Sequence, residues 1–303
     1  MKPTWTGVMP AVTTPFRADG AVDYAFFAQH ARWLLAHGCS GLILCGSLGE
    51  GATLETEEKL QLLETALEAV GDQAPVILSL SGLSTQQVIQ LARQGQAQGA
   101  HGFMLLPPYV YRPDEREARQ YVMSILDAVD RPVMLYNNPG AYGTDFVPEM
   151  IAELAQRFPQ LEAVKESSGD VRRITALRAL LGDSIRLLVG IDDLVVEGVR
   201  SGASGWVAGL ANALPRESVV LFTRARSGAP LEGLYRWFLP LLRLDTHPKF
   251  VQAIKLVQEI IGMGSARVRP PRLELSETER RTVWELVQRA LSTRARLMEE
   301  ISG

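Results

Sequence analysis

Two patterns of apolar positions alternate along the chain. Short, mostly continuous apolar runs, such as 41–45, 132–136 and 185–189, are each followed by a longer stretch with apolar residues at helical spacing. A continuous apolar run favours a parallel strand buried on both faces, and the helical spacing predicts an amphipathic helix. The predicted strands are 7–14, 41–45, 75–80, 101–106, 132–136, 161–165, 185–189 and 205–209, and the helices that follow them are 24–36, 57–70, 84–98, 114–129, 148–157, 171–181, 192–200 and 216–226.

Eight such units predict an α/β fold, the (β/α)8 TIM barrel. An open, doubly wound sheet is the alternative, but no glycine-rich dinucleotide turn follows the first strand. After Gly228 only helical patterns remain, at 231–244, 249–261 and 277–300. We therefore predict a catalytic barrel over residues 1–228 and a C-terminal helical extension over 229–303 that packs on it.

Composition narrows the class of function without naming it. The 303 residues are 47% hydrophobic and 21% charged, with a net charge of -3 and scattered basic residues, so we expect neither a nucleic acid nor a membrane surface as partner. Cys39 and Cys45 are the only cysteines, and we expect reduced thiols and a cytoplasmic protein. The sequence contains no apolar run of about 18 residues, so we expect no membrane span. The histidines are far apart in sequence, so no metal site is expected.

Lys165 has the most unusual predicted position in the chain. It ends the sixth predicted strand, and Gly169-Asp170 then opens a helix for which Asp170 is a suitable N-cap. A lysine ammonium is costly there unless it is paired, or unless burial lowers its pKa so that the amine acts as a nucleophile. The alternative interpretation is a lysine that reaches the surface or pairs with Glu166.

Two further features lie at the same predicted end of the barrel, where active sites of this fold are built. Tyr136 ends the fifth strand, next to Lys165, and a phenol beside an amine suits proton transfer during imine formation. Gly46–Gly51, here called the glycine turn, follows the second strand, and its N–H groups and the Ser47 hydroxyl suit a carboxylate. The alternatives are a phenol that only lines the barrel and a plain tight turn.

At these residues the chain resembles the dihydrodipicolinate synthase / N-acetylneuraminate lyase family of Schiff-base-forming barrels that act on pyruvate and related 2-keto acids. The matching motifs are G-[ST]-x-G-E at 46–50, Y-N-x-P at 136–139 and K-[DE]-x-S-G-D at 165–170. The resemblance implies that Lys165 is the Schiff-base lysine, Tyr136 the proton-transferring phenol and Ser47 part of the relay.

The same resemblance implies how a keto acid is bound. The substrate contacts it implies are the glycine turn at Gly46, the backbone N–H groups of Ser47 and Leu48, the Val207 carbonyl, Asn138 and Tyr111. Family members are typically tetramers built as dimers of dimers, and a tyrosine from the segment 107–111 often crosses into the neighbouring site. We therefore expect a homotetramer, with either Tyr109 or Tyr111 as the crossing residue.

Three positions depart from the synthase pattern. Leu48 replaces the second hydroxyl residue of the glycine turn, Val110 stands where the synthase has its crossing tyrosine, and Ala141 stands where it has the arginine for the second carboxylate. Without that arginine, bidentate recognition of the carboxylate is lost. Tyr142 is one candidate to fill the space, and Asp192-Asp193 is interpreted as a cap for the following helix.

The chain more closely resembles the pyrroline-4-hydroxy-2-carboxylate deaminases, through C-G-S-x-G-E at 45–50, Y-N-N-P at 136–139, K-[DE]-S-S-G-D-x-R-R at 165–173, [GA]-x-D-D at 190–193 and R-P-P-R-L at 269–273. That resemblance implies deamination and dehydration of 1-pyrroline-4-hydroxy-2-carboxylate to 2-oxoglutarate semialdehyde and ammonia, with the lysine imine as electron sink and no metal or organic cofactor.

Three alternatives stay open. The same lysine would serve a 2-keto-3-deoxy sugar acid aldolase or dehydratase. It would equally serve a condensation of pyruvate with an aldehyde, as in 4-hydroxy-tetrahydrodipicolinate synthase. The third alternative is a catalytically silent barrel that only binds keto acids.

Overall fold

Eight parallel strands form a barrel in the computed structural model, which describes residues 1–302, with side chains through residue 299. The strands are β1 Gly7–Pro10, β2 Leu42–Leu44, β3 Val76–Leu80, β4 Gly102–Leu105, β5 Val133–Asn137, β6 Leu161–Glu166, β7 Arg186–Val189 and β8 Gly205–Ala208. Neighbours in sequence pair with one another, and β1 pairs with β8. The N–H of Val12 donates to the carbonyl of Ile43 at 2.8 Å, which closes the barrel between β1 and β2. The predicted TIM barrel is confirmed.

Helices cover the outside of the barrel and continue beyond it. They are α1 Tyr24–Ala36, α2 Thr56–Val70, α3 Thr85–Ala97, α4 Glu115–Leu126, α5 Pro139–Tyr142, α6 Pro148–Arg157, α7 Arg172–Leu181, α8 Val195–Arg200, α9 Pro215–Ser227, α10 Glu232–Leu242, α11 Phe250–Ile260 and α12 Glu277–Ser302. None of the described helices is both long enough and apolar enough to span a bilayer.

Several predicted boundaries were wrong by one or more residues. Strand β1 ends at Pro10 rather than at residue 14, and the short helix α5 after β5 was not predicted. Helix α7 starts at Arg172 with Val171 as its N-cap, so Asp170 does not cap it. Asp170 instead accepts from the backbone N–H of Arg172 at 3.0 Å and from its guanidinium at 2.7 Å. The local ion pair competes with the capping bond that the sequence predicted.

The C-terminal extension shares one buried core with the barrel. Phe238 and Leu242 of α10 and Ile254 of α11 are buried in the same apolar cluster as the barrel strands. Burying apolar surface is the main force that holds such helices in place. The extension therefore lies within reach of the barrel rim, and the proposed division between residues 228 and 229 stays a prediction.

Candidate active site

Seven of the residues predicted from the sequence line one cavity at the carboxyl ends of the strands. The cavity has a volume of about 560 Å³. The predicted residues around it are Gly46, Ser47, Leu48, Tyr136, Asn138, Lys165 and Val207. Ala141, at the position of the missing arginine, also lines it. The strand ends thus converge as parallel strands in a barrel require.

Lys165 lies in the wall of this cavity and is only 7% exposed. Its Cα pairs with that of Tyr136 across β5 and β6, and its Nζ lies 4.0 Å from the centre of the Tyr136 ring. The alternative pairing with Glu166 is wrong, because that carboxylate accepts from Asn137 at 3.1 Å and from the N–H of Ser168 at 2.6 Å.

Burial lowers the pKa of Lys165 to about 8, although the carboxyls of Asp245 and Asp192 oppose that shift. The desolvated ammonium is destabilised relative to the neutral amine. Near neutral pH the uncharged amine, which is the form that attacks a carbonyl, is therefore a minor form but far more abundant than in an ordinary lysine.

The cavity admits the lysine because a glycine, Gly190, directly follows β7. A Cβ at Gly190 would lie 2.6 Å from Cε of Lys165 and 1.9 Å from the Ser167 hydroxyl oxygen. Any side chain at position 190 would displace one of these groups.

Tyr136 stands beside the lysine as a neutral phenol. Its hydroxyl accepts a hydrogen bond from Nδ2 of Asn138 at 2.9 Å. Burial raises the pKa of Tyr136, while hydrogen bonds to Asn138 and Ser47 oppose the rise. A phenol held by defined partners can pass a proton to and from an oxygen bound near the lysine.

Tyr142 joins this group from helix α5. Its hydroxyl and that of Ser47 form a short hydrogen bond, and its ring packs edge-on against Tyr136 with centroids 5.8 Å apart. Tyr109 packs on its other side at 6.1 Å. The predicted relay of Ser47 and Tyr136 therefore includes a third hydroxyl within the same chain.

The glycine turn is held open by its backbone. Glu50 has a φ of 54°, and a Cβ at Gly51 would lie 1.9 Å from the carbonyl oxygen of Cys45, so only glycine fits there. Within the described chain, the N–H groups of Ser47 and Leu48 donate to no protein acceptor. Two unpaired donors beside a lysine suit a substrate carboxylate.

The glycine turn is also tied to the extension, which the sequence did not predict. Glu50 is buried, and its carboxylate pairs with the ammonium of Lys255 at 2.7 Å and accepts from the N–H of Arg269 at 3.0 Å. These partners come from α11 and from the segment before α12. The extension thereby fixes the position of the turn.

Two acidic residues approach the lysine from the β8 side. Asp192 caps no helix, contrary to prediction. Its carboxylate accepts from the Trp206 indole at 2.9 Å and from the N–H groups of Gly209 and Leu210 at 2.9 and 2.7 Å. Asp245, in the turn Arg243–Thr246, lines the cavity and was missed, because no motif marks it.

Tyr111 is the one predicted site residue that lies outside the cavity. It is 56% exposed and stands near Glu117, and neighbouring Val110 is 58% exposed. In the segment 107–111 it is Tyr109 that reaches the Tyr142 ring. Since Tyr111 was proposed to act in a neighbouring subunit, its role stays a prediction.

No group of three or more His, Cys, Asp or Glu side chains in the described part of the chain is arranged to hold a metal ion. His30 is fully buried, and the carbonyl of Asn212 lies 2.9 Å from its Nε2. Burial lowers the pKa of His30 to about 4. This histidine is a neutral core residue rather than part of the site.

The barrel and the buried lysine beside a phenol define an enzyme of the class I, Schiff-base-forming lyases. A model of the dihydrodipicolinate synthetase family matches residues 4–290, and the chain belongs to that family.

Similar proteins agree with this assignment. A 4-hydroxy-tetrahydrodipicolinate synthase from Sorangium cellulosum is 32% identical over 289 residues, which is 94% of this chain and 95% of that protein. The corresponding synthase from Pelobacter propionicus is 30% identical over 281 residues, covering 91% and 96%. Among solved structures, a prophage protein of the dihydrodipicolinic acid synthase family from E. coli K12, in complex with pyruvate, has a TM-score of 0.89 and 27% identity, covering 95% and 99%.

Proposed function

We propose that this chain is a lysine-imine lyase that holds pyruvate or a pyruvate-like 2-keto acid on Lys165 and joins it to an aldehyde, or cleaves such a product. The observation that carries the proposal is the lysine itself, which is buried, lacks an ion pair among the described residues and has a lowered pKa next to a phenol. The synthase names of the relatives support condensation, the alternative expectation, over the deaminase.

The chemistry proceeds by ordinary imine steps. The neutral amine of Lys165 attacks C2 of the keto acid, and the Tyr136 hydroxyl passes a proton to the departing oxygen, which leaves as water. The resulting iminium draws electrons from C3, so loss of a C3 proton gives an enamine that attacks the aldehyde carbon. The carboxylate rests on the N–H groups of Ser47 and Leu48. No metal or organic cofactor takes part in this scheme.

The identity of the second substrate is the finer question. Ala141 stands where the synthase has its arginine, so a second carboxylate in this cavity would have to pair with Arg272, which lines the cavity from the extension. The aromatic Tyr142 occupies the same side of the cavity and hydrogen-bonds to Ser47. This arrangement keeps the deaminase as a second candidate, in which a pyrroline ketimine replaces the keto acid. The 2-keto-3-deoxy sugar acid reaction is a third candidate that uses the same lysine.

A product assay separates these reactions. The purified chain is incubated with pyruvate and aspartate semialdehyde, with 2-keto-3-deoxy acids, and with 1-pyrroline-4-hydroxy-2-carboxylate. Release of ammonia from the pyrroline alone would establish the deaminase, and release of pyruvate from a deoxy acid would establish the aldolase. Condensation of pyruvate would establish the synthase-like reaction. In every case borohydride must trap substrate on Lys165, and an untrapped wild-type chain would overturn the lysine-imine proposal.

We also propose a cytoplasmic homotetramer, a dimer of dimers, in which Tyr109 or Tyr111 contacts a neighbouring subunit. The exposed apolar residues Val110 and Tyr111 support an interface at this edge of the barrel. Light scattering of the purified chain tests the mass, and Tyr111→Ser tests whether this edge is needed for assembly. A wild-type monomer at working concentration would contradict the tetramer.

A further inference from the structure

We infer that Asp245 is a further catalytic residue, the base that removes the C3 proton from a keto acid held on Lys165 and later returns it. The inference rests on the proposed lysine imine. It assigns to the extension, rather than to a barrel strand, the group that makes the enamine.

The position of Asp245 over the barrel rim supports this role. Its segment, Arg243–Thr246, follows helix α10 and turns inward, so that Asp245, Thr246 and His247 all line the cavity that holds Lys165. A Cβ at Gly209 would lie 2.3 Å from Oδ1 of Asp245, which places the carboxyl directly against the end of β8. The glycine at this strand end is what admits the carboxyl to the cavity.

The two proton-carrying groups stand on opposite sides of the lysine. Strand β6, with Lys165, has β5 on one side and β7 then β8 on the other. Tyr136 belongs to β5, whereas Asp245 lies against Gly209 at the end of β8. A keto acid bound at C2 therefore has the phenol on one flank and the carboxyl on the other. The phenol is placed for the oxygen that leaves C2, and the carboxyl for the neighbouring carbon.

Of the two acidic side chains near Lys165, Asp245 is the one that lines the cavity. Asp192 accepts three hydrogen bonds from the β8 side and does not line the cavity. Asp245 forms no ion pair among the described residues, and its carboxyl accepts a hydrogen bond from the backbone N–H of Asp192. Burial and the charge of Asp192 raise the pKa of Asp245. The raised pKa lies closer to the operating pH, which makes this carboxylate a stronger base than an ordinary one.

The step balances in charge and atoms. The Asp245 carboxylate takes a proton from C3, the C–H electron pair becomes the C2–C3 double bond, and the imine π pair moves to nitrogen. An iminium and a carboxylate thus give a neutral enamine and a carboxylic acid. In the reverse direction the acid returns the proton to C3. In deuterated water the acid exchanges with solvent, so pyruvate acquires deuterium at C3 without any second substrate.

The test uses this exchange together with trapping. The full-length chain is incubated with pyruvate in deuterated water, exchange at C3 is followed by NMR, and imine formation is measured by borohydride reduction and intact mass. We expect Asp245→Asn to be trapped as readily as the wild type but to exchange about 100-fold more slowly or worse. Gly209→Ala, whose methyl group meets the carboxyl, should show the same separation.

Asp193→Asn is the matched control. This neighbouring carboxylate pairs with Arg243 at 3.6 Å and does not line the cavity, so exchange should match the wild type. Wild-type exchange in Asp245→Asn would overturn the assignment. Loss of trapping in both Asp245→Asn and Gly209→Ala would also overturn it, since the carboxyl would then serve imine formation or the fold. If Asp245→Asn is insoluble, Gly209→Ala decides in the same way. If pyruvate and borohydride do not label the wild-type chain, the proposed function is contradicted. The assignment of Asp245, which rests on that function, is then contradicted as well.

Discussion

Glu50 of the glycine turn and Lys255 of helix α11 form a buried ion pair, 2.7 Å between carboxylate and ammonium, with neither side chain more than 2% exposed. Lys255 also donates to the carbonyl of Thr14 at 2.9 Å and lies over the Phe16 ring. A pair removed from water adds little net stability, but the loss of one partner leaves an uncompensated charge. The pair therefore makes the position of the glycine turn depend on the extension.

We expect Lys255→Met to lower the free energy of unfolding by about 3 kcal/mol, because Glu50 is left buried without its main partner. Lys249→Met is the matched control, since Lys249 pairs with Glu279 at 2.6 Å but is 45% exposed. That change should cost about 0–1 kcal/mol. Urea unfolding of both variants measures the difference. Equal losses would mean that the buried pair has no special role.

Trapping of pyruvate on Lys165 should depend on pH through the amine. Burial lowers the pKa of this lysine to about 8, so the neutral form is scarce below that value and dominant above it. The initial rate of borohydride trapping should therefore rise with pH and level off above about 8.

Lys165→Ala should remove the label entirely. Lys59→Met is the control, since Lys59 is also buried with a pKa lowered by burial, but it lies outside the cavity. A rate that falls as pH rises toward 8 would contradict the assigned nucleophile.

The repeat of strands and helices and the closeness of Lys165 and Tyr136 were both predictable, since neighbouring parallel strands end at one rim. The place of Asp245 in the cavity was not predictable, because a hydrophobic pattern identifies the end of a strand but not which distant turn folds over it. The contact between Ser47 and Tyr142 depends on α5, a helix of four residues. So short an element has too little periodicity to be read from sequence.

Tyr136→Phe should lower kcat by about 100- to 1000-fold, because it removes the proton-passing hydroxyl and keeps the ring. The ring contact with the Lys165 ammonium, at 4.0 Å, is preserved, so the fold and the position of the lysine should not change. Steady-state rates on the substrate found in the product assay measure the effect.

Tyr235→Phe provides the comparison for Tyr136→Phe. The hydroxyl of Tyr235 donates to the carbonyl of Asp193 at 2.7 Å and contacts Glu197 at 2.9 Å, away from the cavity. We expect it to lose about 1 kcal/mol of stability and no activity. If Tyr136→Phe keeps the wild-type kcat, the phenol only lines the barrel, which was the alternative interpretation of the sequence.

Gly190→Ala should abolish imine trapping while the barrel still folds. The added methyl would lie 2.6 Å from Cε of Lys165, so the lysine must leave its position beside the Tyr136 phenol. Gly233→Ala is the matched control, because this exposed glycine in α10 has nothing within 4 Å of the new Cβ. A helix favours alanine over glycine, so that variant should gain roughly 0.5–1 kcal/mol and trap pyruvate normally. Circular dichroism, urea unfolding and borohydride labelling separate the two effects. Full labelling in Gly190→Ala would show that imine formation tolerates a displaced lysine, contrary to the close packing at the end of β7.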